Sequence, residues 1–127
     1  MRGEVLKPVL ACLAVFTVGS ILDNVMTYYF VVLEGRFAEL NPLSRSFIHT
    51  YPLIMWFLRD YLGFALVILL ALITRRLLKV STWWLVMAIP SVVRILPVIH
   101  NISLLLGYDT PFDDLAVTLY RVLGLIN

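Results

Sequence analysis

The chain contains no glutamine, one cysteine, two lysines and few charges of any kind. Each shortage excludes something. With Cys12 alone, no intramolecular disulfide, CxxC pair or cysteine zinc site can form. A single thiol in an apolar run reads as a small packing group. The missing glutamine, with lysine only at Lys7 and Lys79, fits a hot environment in which labile amides are depleted. A net charge of +2 with no long basic block argues against nucleic acid as a partner. Charged residues make up only 14% of the chain, whereas soluble domains carry roughly 25%.

What is present is apolar. Hydrophobic residues are 61% of the 127, and the mean hydropathy is +0.95. A bilayer core of roughly 30 Å takes about 20 apolar residues as a helix, and three such runs fit this length. The expectation is an all-α integral membrane protein, a single membrane domain over residues 1–127 with the lipid bilayer as its first partner. Its three transmembrane helices are expected at about 8–33, 52–74 and 82–106. An outer loop at 34–51 should carry an interfacial helix, and a short amphipathic interfacial helix should follow at about 112–126.

Local signals set these boundaries. Pro8 can open a helix in its first turn, where its missing N–H costs nothing. Arg2 and Lys7 before an apolar run, with small residues at Gly19 and Ser20, also allow a signal-peptide reading. The run continuing past Ser20 opposes it. In the loop, Asn41-Pro42 reads as cap and first position of a short helix over Leu43 to His49. Pro52 restarts the chain into the second span, and "RRLLKVS" turns it toward the third. Pro90 and Pro97 should kink the third. Trp83 and Trp84 read as an interfacial aromatic belt, with Tyr28, Tyr29, Tyr51 and Tyr108 as its counterpart.

Cations near the span ends give the orientation. Arg2, Lys7, Arg75, Arg76 and Lys79 fall on one side of a three-span chain, so that side should be cytoplasmic. Asp109, Asp113 and Asp114 fall on the other. The expectation is a cell-membrane protein with its N-terminus inside and its C-terminus outside.

Four charges interrupt the spans: Asp23 in the first, Arg59 and Asp60 in the second, Arg94 in the third. Each costs roughly 2.5–3.5 kcal/mol at the bilayer centre. They sum to zero, so they should meet. Counting about 1.5 Å per residue from the span ends puts Asp23 and Arg94 near the middle as a deep pair. Arg59, Asp60 and His100 come out in a shallower layer. Thr17, Ser20, Asp23, Asn24 and Thr27 share one helical stripe, and Ser91, Arg94, Pro97 and Asn101 share another, with His100 beside it. Gly63 should allow close approach in the second span. Glu39 and Asn41 could cap the cluster from the loop. The candidate site is therefore Asp23, Asn24, Thr27, Glu39, Asn41, Arg59, Asp60, Arg94, His100 and Asn101.

Three functions compete for that cluster. It could bind or conduct an ion, a proton or a small polar or anionic species. It could be purely structural, as interhelical ion pairs. It could belong to a membrane-embedded enzyme acting on a lipid headgroup, although no HExxH, GxSxG or similar spacing supports catalysis. No metal and no cofactor is implied. Three helices alone cannot surround a polar core, so a homo-oligomer or a place in a larger membrane complex is expected.

Asp23 with Thr27, then Gly35 and the box Glu39-Leu40-Asn41-Pro42, resembles a family of small multi-pass membrane proteins of bacteria and archaea. In that family a first-helix Asp and Thr precede a glycine turn and an E-x-N-P box, and the second span often carries a basic residue, here Arg59. The resemblance runs from Leu22 to Arg76. It implies that Asp23 and the box act together, and it implies no activity. The third span, with Arg94 and His100, lies outside it.

Overall fold

The computed structural model describes residues 2–36, 42–108 and 111–124. Glu39 and Asn41, with the rest of the loop box before Pro42, lie outside them. The described chain is helical, with no strand among the described residues. Helix α1 spans Arg2–Thr27 and continues with wider π geometry over Tyr28–Leu33. Helix α2 spans Pro42–Thr50, α3 Leu53–Leu78, α4 Leu85–Val93, α5 Leu96–Leu105 and α6 Pro111–Val122.

Three stretches are long and apolar enough to cross a membrane: Glu4–Leu33, Leu53–Leu78 and Leu85–Leu105. Their outer faces fit that solvent. Leu66, Leu77, Ile89 and Val92 are each more than 60% exposed, an apolar exterior that suits lipid better than water.

Several boundaries differ from expectation, each for a local reason. Helix α1 begins at Arg2, so Pro8 lies inside it. There the ring removes one bond, the one an N–H at this position would give the Glu4 carbonyl, within two turns of the helix start. Helix α3 runs past Arg75 and Arg76 and stops at Lys79, which turns left-handed (φ 52°) while its N–H bonds the Arg75 carbonyl at 3.1 Å. The two arginines thus sit in the last turn, where the helix dipole favours cations. Trp84 is exposed like a belt residue, but Trp83 turns inward to 7% exposure and takes the Arg75 guanidinium over its ring at 5.5 Å. Helix α6 stops at Val122, before Gly124 turns left-handed.

The third span is two helices. Pro97 has no N–H to give the Val93 carbonyl, and the chain breaks at Arg94 and Ile95. A tighter bond from Ile95 N to Val92 O, 2.9 Å, carries the chain across. Helix α4 packs against both α1 and α3, whereas α5 keeps to α1. Gly19 makes the junction possible. A Cβ there would lie 3.0 Å from the Arg94 carbonyl oxygen and 3.0 Å from Ile95 Cδ1. Gly63 does not play that part: a Cβ on it would meet nothing within 4 Å.

The core lies toward the α1 start and the α3–α4 turn. Cys12, Phe16, Phe64, Ala71, Trp83 and Met87 form one buried cluster. Phe16 stacks on Phe64 with ring centroids 4.2 Å apart, and Tyr61 meets Phe16 edge-on at 6.1 Å.

Candidate functional site

The stripe on α1 is built by three- and four-residue spacing, which brings Ser20, Asp23, Asn24 and Thr27 to one face. On α3 the facing residue is Asp60. The break in the third span supplies Arg94, and α5 supplies Asn101. All of these meet.

Arg94 is the hub. One terminal nitrogen, Nη1, pairs with Asp23 Oδ2 at 3.0 Å. The other, Nη2, pairs with Asp60 Oδ2 and also donates to Asn24 Oδ1 at 3.3 Å. Asp60 Oδ2 accepts from Ser20 Oγ at 2.7 Å and from Asn24 Nδ2 at 2.8 Å as well. Asp60 Oδ1 accepts from Arg59 Nε at 3.3 Å and Arg59 Nη2 at 3.1 Å. Asp23 Oδ1 accepts from Asn101 Nδ2 at 3.2 Å and from Thr27 Oγ1 at 3.5 Å. Every carboxylate oxygen in the cluster is occupied. Asp60 is 7% exposed and Asp23 14%. Deep burial of this kind is tolerable because the four charges cancel and the acceptors are filled.

One expectation is corrected here. Asp60 does not sit with Arg59 and His100 in a layer above an Asp23–Arg94 pair; it shares Arg94 with Asp23. Counting residues assumed that the outer ends of the spans are level. Asp60 in fact accepts from both Ser20 and Asn24, which flank Asp23 along α1, and so lies level with Asp23. The expected Asp23–Arg94 contact is present. Asn24, Thr27 and Asn101 join as placed by their stripes. His100 lies half-buried on α5, before Asn101.

Arg59 lies at the rim, with 38% of its side chain exposed. Its guanidinium sits 4.8 Å from the centroid of the Phe47 ring on α2, a cation–π contact. The link from α2 to α3 is fixed where Trp56, buried against Tyr28, donates its indole N–H to the Tyr51 carbonyl at 3.0 Å. Sequence reasoning left both Ser20 and Phe47 out of the site. Ser20 was visible in the α1 stripe. Phe47 had no signal, because only the fold brings α2 over Arg59.

Chemically, the acceptor side of the cluster is filled, since every oxygen of the two acids takes at least one donor. Among the described residues no group of three His, Cys, Asp or Glu side chains could hold a metal ion. The polar potential left over is on the donor side: Arg94 Nε is buried without a partner. An open cleft of about 380 Å³ lies on the flank of the bundle, lined by Phe16 of α1, by α3 from Arg59 to Val67, and by Pro90 and Arg94. Comparison with protein-family models, with curated proteins and with solved structures finds no match.

Proposed function

We propose that this chain is a component of the cell membrane that works through helix association, as a homo-oligomer or an accessory subunit, and that its charged cluster is the clamp of the three-span unit. The observation that carries this reading is Arg94, shared between Asp23 of α1 and Asp60 of α3 with all four carboxylate oxygens filled. A conducting path needs carboxylates that can release a partner and take up an ion or a proton. Here each exchange would strip a buried charge of its counterion, at several kcal/mol. Membrane helices lack a hydrophobic drive to associate, so polar contacts and close packing must hold them.

The N-terminus lies inside in this reading, with Arg75, Arg76 and Lys79 on the same side under the positive-inside rule. Nearly all described residues are in spans or in the short helices α2 and α6. A partner would therefore be met laterally, on the exposed faces of α1, α3 and α4.

Unfolding of Asp60→Asn in mild detergent, run beside a liposome flux assay on the native chain, tests the clamp. The expected result is a loss of about 3 kcal/mol, the low end for breaking a buried pair, and no ion or proton flux above empty liposomes. Flux from the native chain that Asp60→Asn abolishes at unchanged stability would replace the clamp with a conducting site.

A further inference from the structure

We infer that the flank cleft binds one long-chain carboxylic acid taken laterally from the bilayer, its acidic head on Arg59 and its hydrocarbon chain along α3 and α4. The inference goes beyond the clamp reading and stands or falls separately from it.

The cleft has two chemically distinct ends. One is lined by Arg59, Asp60 and Arg94, and the other by Gly63, Val67 and Pro90, with Phe64 on the wall between them. At the charged end the inventory of donors and acceptors is lopsided. Asp60 already accepts from Ser20, Asn24, Arg94 and Arg59 and has no lone pair left for an incoming donor. The donors are in surplus. Arg59 uses Nε and Nη2 on Asp60, which leaves the far edge of a half-exposed guanidinium at the cleft. One face of that guanidinium is covered by the Phe47 ring. An occupant must therefore bring acceptors. A planar carboxyl group matches a guanidinium edge.

The rest of the cleft requires hydrocarbon. Gly63, one turn from Arg59 and Asp60, is exposed, and a Cβ on it would meet nothing within 4 Å. This is open space over an apolar stretch of the surface, where a hydrocarbon chain can lie. The volume, about 380 Å³, is at the low end of the roughly 300–1,000 Å³ of small-molecule sites, which suits one chain rather than two. Depth points the same way. Arg59 lies six residues into α3, roughly 9 Å below its start at 1.5 Å per residue. A carboxyl group is small enough to be drawn to that level. A glycerophosphate with two chains would have to carry its bulkier head down with it.

The test is equilibrium binding of radiolabelled palmitic acid to the purified full chain in detergent, with competition by hexadecanol and by phosphatidylglycerol. The expected result is saturable binding of one molecule per chain that neither competitor displaces at equal concentration. Arg59→Gln should weaken it about tenfold, the factor that one charge-assisted hydrogen bond is worth. Gly63→Phe should abolish it while the melting temperature holds, because the ring enters empty space. Equal displacement by hexadecanol would remove the arginine from the site. Equal displacement by phosphatidylglycerol would make the site one for a two-chain lipid and overturn the single-chain assignment. Non-saturable uptake, or full affinity in Gly63→Phe, would remove the cleft. Because stability is read separately, a failed clamp shows in Asp60→Asn unfolding and a failed lipid site shows here.

Discussion

The two halves of the bundle are held together by different physics. On the side of the α3–α4 turn, Phe16, Phe64, Ala71, Trp83 and Met87 pack with no charge buried among them, apart from Arg75 lying over the Trp83 face. On the other side, Arg94, Asp23 and Asp60 cross-link the three long helices through a polar network, and among the described residues Ile48, Trp56 and Val98 are the buried apolar side chains outside the first cluster. In water the first half would be the stronger, because burial of aromatic surface is the dominant favourable contribution. In a bilayer the exposed alternative is equally oily, so apolar packing contributes only shape and dispersion. The polar half then does more of the holding. The difference teaches that the weight of a contact depends on the solvent of the unfolded helices.

The sharpest way to break that comparison is Arg94→Gln. It leaves two buried acids facing each other without their shared base, and the expected loss is about 3–5 kcal/mol in reversible unfolding in detergent. A loss below that of an apolar truncation would reverse the ranking of the two halves. Phe64→Ala comes next. It removes the ring stacked on Phe16 and leaves a void, which costs about 3–5 kcal/mol in a soluble core. With the transfer contribution largely gone, about 1–2 kcal/mol is expected here, measured in the same unfolding series.

The smallest and most diagnostic effect is a pair of glycines. Gly19→Ala puts a methyl 3.0 Å from the Arg94 carbonyl and should cost about 1–2 kcal/mol, as overpacking does. Gly63→Ala meets nothing and should be neutral or slightly stabilising, through helix propensity of up to about 1 kcal/mol. Gly19→Ala should also be non-additive with Arg94→Gln, since both act at one junction. Additivity there would separate the close packing from the ion cluster.

Much of this was legible in the residues. Hydropathy alone separates the three spans, and Gly35, Pro52 and Gly107 fall within two residues of three of their six ends, whereas Pro8 lies inside the first. The α1 stripe placed Asp23, Asn24 and Thr27 on one face, and charge balance required the two acids to meet the two arginines. The level at which they met was not legible. Residue counting placed Asp60 above Asp23, whereas the fold brings it level with Asp23, bonded to both Ser20 and Asn24. The glycine at the close contact was misread for a related reason. Gly19 and Gly63 look alike in sequence, and only the direction of the α4–α5 break decides which of them faces a neighbour.

Composition and period therefore suffice to make the chain helical, apolar enough to cross a membrane three times, and bound to neutralise the four charges within its long apolar helices, because each of these is a local property. The tertiary structure decided that one arginine serves two acids, that Phe47 covers Arg59, and that a donor-rich cleft opens beside Gly63. These depend on helix offsets and on the direction of a proline break, which are set by packing between segments far apart in the chain.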